Sequence, residues 1–449
     1  MSPTAERPLT TRSMMLNLGP SHPAMHGVVR FILELDGEQI IHADTEIGYL
    51  HRGFEKMSEQ GNYLTVIPYT DRLNYVSPPI NNHGYCLAVE KLMGITVPER
   101  GEYIRVILDE LARVADHLTC IGAAAMELGA FTAFLYMMEA REMIYDCLES
   151  VTGARLTVSF CRIGGVKADL PEGFSDRCHR AFARTREILT ECDKLLTRNR
   201  IFVDRMRDVG VLSKERTLAY GIQGPFARAN GVDWDLRRDQ PYSIYDRVEF
   251  EVPVGDGHCD NYERYVVRMI ETEQSMRIVE QCLEQIPKKG PVAVDEEGRE
   301  LTGAELVEAA KRGRTEGVKE LRVVADPTLD GTHRGEIEQV TCPDKHVLLP
   351  PKEETYGSIE GLINHFKLVM TGHGIAPPAG EAYGVVEGAN GELGFYVVSD
   401  GTDRPYRVRC HPPCFPILAA MGEILEGHMV ADVTPIFGMV NMIAGELDR

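Results

Sequence analysis

The chain has no C-x-x-C pair, no internal repeat and no low-complexity tract. It also has no apolar run approaching the roughly 18–20 residues that a membrane-spanning helix requires. Its longest apolar runs, Ile121–Met126 and Phe415–Met421, have the length of buried helix fragments. Positive charge is in short supply: 48 Lys and Arg stand against 68 Asp and Glu, a formal charge of −20. A surface this acidic repels phosphate backbones and anionic headgroups, so nucleic acid is a poor partner. Work at a membrane would require other chains to hold this one there. A Walker loop, a GxGxxG after a strand, an H-E-x-x-H and a nucleophile elbow are all missing, and with them the common signatures of nucleotide, zinc and acyl-transfer chemistry. The opening MSPTAERPLTTRSMML carries Glu6 and two prolines and lacks an apolar core, so no secretory leader is expected.

What is present is ordinary globular material, 43% hydrophobic and 26% charged over 449 residues. That length allows one large domain or two to three smaller ones. The eleven cysteines are irregularly spaced, as buried thiols in a reducing compartment are. One near-motif, Cys410-His411-Pro412-Pro413-Cys414, lacks a second ligand pair and reads as a loop stiffened by proline.

Hydrophobic patterning divides the chain into four regions of one compact α+β domain. Residues 1–55 read as β: Val28 to Leu35 alternates, Asp36-Gly37 supplies a tight turn, and Gln39 to Thr45 returns. Residues 56–287 read as a bundle of long helices. Between Glu99 and Gly129, apolar residues recur at Ile104, Ile107, Leu108, Leu111, Val114, Ala115, Leu118 and Ile121. Further helices are predicted over Tyr75–Lys91, Phe131–Val151, Phe174–Leu196 and Asn261–Ile286. Residues 288–355 are charged and read as a surface insertion, with a short amphipathic piece at Ala304–Arg312. Residues 356–449 open with a helix at Ser358–Met370. A β-meander follows (Tyr383–Glu387, Leu393–Ser399, Tyr406–Arg409), then a helical piece from Phe415.

Four segments could carry chemistry. In Asn17–Gly27, NLGPSHPAMHG, Pro23 separates His22 from His26 and forbids a helix, leaving a rigid turn that presents imidazoles. An imidazole can hand a proton to a carbonyl oxygen near neutral pH; a turn whose histidines bond only backbone is the blander alternative. In Pro68–Tyr75, PYTDRLNY, a phenol can hydrogen-bond a ligand oxygen with its ring on apolar walls. In Ile47–Gly53, Arg52 is costly to bury without an anionic partner. Glu127, at the C-terminal end of its predicted helix, faces an unfavourable dipole, which favours a special partner over the blander alternative of a solvated helix end. From these residues alone the reading stops at an α+β protein with a histidine-bearing turn.

The order of the motifs adds more. GPSHPAMHG, IGYLHRGFEKM, PYTDRLNYV, LAVEKL, MELGA, TGAR (Thr152–Arg155), WDLRRDQPY (Trp234–Tyr242), VEFEVPVG, FYVVSDGTDRPYR, GHMVADV and a terminal GELDR resemble, in sequence order, the D-subunit family of respiratory complex I, the proton-pumping NADH:quinone oxidoreductase. The resemblance covers nearly the whole chain apart from the first dozen residues and the charged insertion. It implies a fold like the large subunit of nickel–iron hydrogenases, with the metal-binding thiolates gone: HRGFEK and GELDR stand where the two C-x-x-C pairs would fall. The vacated site is then expected to be a quinone-headgroup pocket. His26 and Tyr75 match the pair that hydrogen-bonds the quinone carbonyls, and Glu127 stands where the family has the Asp that orients the histidine. Arg52 matches the arginine near a 4Fe-4S cluster held by a neighbouring subunit. No cofactor or metal is expected on this chain itself. The implied partners are the other complex I subunits, chiefly the cluster-bearing B subunit, the C subunit and the membrane-embedded H subunit. The implied location is peripheral, on the cytoplasmic side of the inner membrane. Thr157 occupies the place of a family histidine thought to titrate with the cluster, which suggests a lower-potential cluster and a low-potential quinone such as menaquinone. The rival reading is a scaffold subunit in a related ferredoxin- or deazaflavin-linked membrane oxidoreductase.

Overall fold

The computed structural model describes residues 13–23, 27–287, 289–295, 318–325, 349–350, 352–370 and 374–449. His26 lies outside the described residues, as do the 304–312 segment and Cys342.

The architecture is mixed α and β, with long helices between small antiparallel sheets. The N-terminal hairpin forms where alternation placed it, as Arg30–Asp36 and Gln39–Glu46, with Phe31, Leu33 and Leu35 buried. Gly37 takes φ +64 in the turn. A third strand, Met14–Leu18, joins on the open edge of Arg30–Asp36. Its five residues carry no clean alternation, and pairing rather than pattern makes it a strand.

Glu99–Glu127 is the central helix, and every residue of its apolar stripe is buried. The Phe131–Thr152, Asn261–Gln285, Pro78–Met93 and Val433–Val440 helices pack around it. Because neighbours cover all sides, the polar face is buried too: Arg105, Asp109, Glu110, Arg113, Asp116 and His117 have no exposure. Such charges are tolerable inside only when paired. Arg105 forks onto Glu90, at 3.0 and 2.5 Å. Glu110 receives Arg113 at 3.2 Å, Arg237 at 3.1 Å and the Tyr245 hydroxyl at 2.7 Å. Arg237 reaches on to Asp235 at 2.7 Å and Glu271 at 2.6 Å, and Arg228 ties Glu271 at 2.9 Å to Glu387 at 2.8 Å. Arg113 also donates to the carbonyls of Glu387 and Gly388, clasping the C-terminal meander to the bundle.

The meander runs Gly380–Gly388, Gly391–Ser399 and Arg407–His411, in antiparallel register. In the charged segment, Lys289–Asp295 and Val318–Ala325 pair as an antiparallel ladder. Two further helices match the sequence expectations closely: Phe174–Leu196, and Ile359–Val369 capped by Ser358.

Three expectations need correction. The helix expected to open at Tyr75 begins at Pro78, because Pro78 disfavours helical backbone at Ser77 and the Asn74 side chain takes the Val76 and Ser77 amides at 3.1 and 3.2 Å. Tyr63–Thr70, unassigned from the sequence, is helical, started by the Asn62 side chain accepting from Thr65 N at 2.9 Å. Cys410-His411-Pro412-Pro413-Cys414 is not a free loop: Cys410 lies on the last strand, Cys414 opens the Cys414–Ala419 helix, and both are buried.

Ala444–Leu447 is a buried helical turn, and a Cβ at Gly445 would overlap the Leu73 carbonyl oxygen and lie 2.6 Å from that of Arg72. Gly445→Ala is therefore expected to lower stability by about 1–3 kcal/mol in denaturant unfolding of the purified protein. Gly357→Ala, where a Cβ meets nothing within 4 Å, should stay within about 0.5 kcal/mol. Arg237→Ala leaves Glu110, Asp235 and Glu271 short of a cation and should cost about 3–5 kcal/mol by the same measurement.

Candidate functional site

The segment Ile47–Gly53 leaves the Gln39–Glu46 strand and enters the Phe54–Gln60 helix through Gly53, at φ +65. The C-terminal tail fixes its course. Asp448 accepts from Gly48 N at 2.8 Å and Leu50 N at 2.7 Å, and the His51 ring donates to the Asp448 carbonyl at 2.7 Å. Arg52 then donates to the carbonyls of Arg72 and Gly445, both at 2.8 Å. Arg52 stays solvent-exposed, so its charge escapes the cost that burial without an anionic partner would carry.

Tyr75 lies in the turn before the Pro78 helix, half-buried, with its ring against Gly445: a Cβ there would stand 3.2 Å from the ring. Its hydroxyl makes no hydrogen bond to a described residue. Burial pushes the phenol pKa up, Cys414 and Glu446 push the same way, and Arg52 opposes them. Asp116, from the central helix, closes this wall, accepting from Ser77 at 3.2 Å and Asn441 at 2.6 Å. Glu446 is 1% exposed and burial raises its carboxyl to about 8. Tyr75, Arg52, Gly445, Glu446, Cys414 and Asp116 thus form one polar neighbourhood in an apolar wall.

Glu127 sits elsewhere on the same helix. It ends the central helix eleven residues beyond Asp116, roughly 16 Å along the axis. Its carboxylate lies against the backbone of the Val433–Val440 helix, where a Cβ at Gly438 would overlap it. Of the histidine-bearing turn, His22 is exposed, and Gly27 packs on the tail, where its Cβ would meet Met442 at 3.1 Å and Ala444 at 3.2 Å.

Asp71 does not face Tyr75's neighbours. It is buried and anchors the stretch after the Thr152 helix end, accepting from Ser159 N at 3.2 Å, from the Ser159 hydroxyl and from Asn82 at 2.8 Å. There Thr157 and Ser159 hold φ +51 and +43, a conformation unusual for residues with a Cβ and strained for branched Thr157.

A cleft of about 430 Å³ opens on the other side of the 47–53 segment, lined by Gly48, His51, Lys56, Phe415 and Asp448. Tyr75 and Glu127 do not line it. Cys410 and Cys414, the thiols nearest the candidate site, are pushed up by burial and held protonated, so they do not fit a cluster's thiolate ligands. Asp208, His258 and Asp260 bring ligand atoms within 4.8 Å of one another, but Arg207 already stands 3.8 Å from Asp260.

Sequence reasoning passed over Glu446, Asp448 and Asp116, and weighed Cys414 only as part of a proline-stiffened loop. The available signal was two acids within GELDR, directly after the apolar residues Met442–Ala444. What it could not supply was the return of that tail to residues 48–75.

Comparison with known proteins agrees with the ordered motifs. The family model described as "Respiratory-chain NADH dehydrogenase, 49 Kd subunit" matches residues 127–449. Among curated relatives, a D subunit of the NADH-quinone oxidoreductase of Sorangium cellulosum is 48% identical over 445 residues, 99% of this chain and 98% of that protein. The corresponding D subunit of Myxococcus xanthus is 47% identical, covering 98% of this chain and 94% of its own. A fused C/D subunit of the same oxidoreductase from Bdellovibrio bacteriovorus is 43% identical over 98% of this chain and 70% of its own. The chain belongs to the respiratory-chain NADH dehydrogenase 49 kDa family, the D subunits of NADH-quinone oxidoreductase, and is a component of that oxidoreductase complex.

Proposed function

We propose that this protein forms the quinone-headgroup pocket of the complex, with Tyr75 and His26 as donors to the quinone carbonyls. The observation that carries the reading is the Tyr75 phenol: half-buried, its hydroxyl unspent on any described residue, beside Arg52 and the C-terminal tail. Reducing a quinone takes two electrons and two protons. Donors aimed at the carbonyl oxygens stabilise the charge that develops there, and an apolar wall keeps water and side reactions out. Electrons come from an iron–sulfur cluster on a neighbouring subunit, near Arg52. Glu127 is read as the carboxylate that orients His26.

The pocket is read as the vacated metal cradle of a hydrogenase-like large subunit. In support, the two segments that stand where the metal pairs would fall do meet here: His51 with Asp448, Arg52 with Gly445, and Glu55 with Arg449 at 3.5 Å. We read the B, C and H subunits as the neighbours, and the C/D fusion in Bdellovibrio bacteriovorus favours the C subunit. No described helix is long and apolar enough to cross a membrane. A peripheral position on the cytoplasmic side of the inner membrane follows if the H subunit supplies the membrane contact. The scaffold alternative leaves the Tyr75 phenol, unspent on any described residue, without a purpose.

Tyr75→Phe in the assembled complex is expected to slow quinone reduction about tenfold or more while NADH oxidation by an artificial acceptor continues. Equal loss of both activities would mark an assembly defect and remove the support. Thr157 cannot take up a proton, so redox titration should show a last cluster of low potential with weak pH dependence, suited to menaquinone. A high, strongly pH-dependent potential would contradict that.

A further inference from the structure

Glu446 has no part in the reading so far, yet it stands behind Tyr75. It lies on the terminal turn Ala444–Leu447, next to the glycine that touches the Tyr75 ring, and its Oε1 has no hydrogen-bond partner among the described residues. Among the described residues, the groups facing it are Cys414 of the Cys414–Ala419 helix, Asp116 of the central helix, Cys410 of the last strand and Tyr75 itself. None is a cation. Arg52 spends its guanidinium on the carbonyls of Arg72 and Gly445, and Arg449 pairs with Glu55. The other acids here are occupied: Asp448 takes two backbone amides, and Asp116 takes Ser77 and Asn441. A buried carboxyl facing only acids, thiols and a phenol keeps its proton, and burial raises its pKa to about 8. The Cys414 thiol neighbours both Glu446 and Tyr75.

We propose that Glu446 is a positioning residue of the quinone site, holding a proton behind Tyr75 and returning it to that phenol after the phenol has given its own to a bound carbonyl oxygen. The proposal rests on the pocket reading above. In the first transfer the Tyr75 O–H bond breaks as the quinol O–H forms. In the second the Glu446 O–H breaks and the phenol re-forms through a bridging water, since the two groups share no hydrogen bond of their own, and the carboxylate then takes a proton from solvent. Neither side chain changes oxidation state; the two electrons are those of the complex's own NADH-to-quinone reaction.

The working form of Glu446 is the acid, present below pH 8 and lost as pH rises through 8. Quinone reduction by the intact wild-type complex should therefore fall on the alkaline side near pH 8. Glu446→Gln, nearly the same size but unable to pass on a proton, should slow quinone reduction about tenfold and abolish that alkaline fall. NADH oxidation by hexaammineruthenium should be unchanged. Glu446→Asp should recover part of the rate and keep an alkaline fall. The proposal is overturned if the wild type shows no such fall, if the Gln variant keeps the wild-type rate and profile, or if Gln and Asp are equally slow with the wild-type profile. A slow Tyr75→Phe enzyme beside a normal Glu446→Gln enzyme defeats this proposal alone. A Tyr75→Phe enzyme at full quinone rate defeats the pocket itself.

Discussion

The central helix has no solvent face, and much else follows from that constraint. Neighbouring elements enclose both its apolar stripe and its charged one, so every charge on the second stripe must find a counter-charge or, as Asp116 does, hydrogen-bond donors inside the protein. Arg237 and Arg228 meet this demand by reaching in from the 224–239 region to Glu110, Asp235 and Glu271, and Glu387 extends the same cluster into the C-terminal sheet. Removing water strengthens these attractions and also makes an unpaired member costly. The cluster therefore fixes how bundle and meander sit against each other more sharply than apolar packing alone would.

That rigid frame gives the C-terminal tail a defined place to return to. Asp448 shapes the 48–51 backbone with two amide bonds, and Gly445 lets the tail lie against the 72–75 segment with no side chain between them. The last residues thereby become the inner wall of the candidate site. Two acids close together in the tail end in opposite situations: Asp448 is saturated with donors, while Glu446 faces thiols, another acid and a phenol. Their chemical difference comes from surroundings, since the two carboxyl groups are intrinsically much alike.

The strain at Thr157 and Ser159 belongs to the same logic. Asp71, from the turn just ahead of Tyr75, holds that stretch through Ser159. The segment that carries the phenol thus also sets the loop after the Thr152 helix end, tying together two parts of the chain that the ordered motifs had marked separately.

Periodicity alone located the N-terminal hairpin, the four long helices and the strands of the meander, because burial on one face imposes a period of two or of about 3.6 on the sequence. Local chemistry could also have shown that Pro78 delays its helix. It could not show that the polar stripe of the central helix is buried, since a charged stripe looks the same whether water or an arginine faces it. The first strand lay beyond the sequence for a related reason: Met14–Leu18 is a strand through its partner's hydrogen bonds. The ordered motifs established the family and named Tyr75 and Arg52. Only the tertiary structure set Tyr75 beside Glu446 and Cys414 and Arg52 on the Gly445 carbonyl, because proximity across hundreds of residues depends on where the chain turns back.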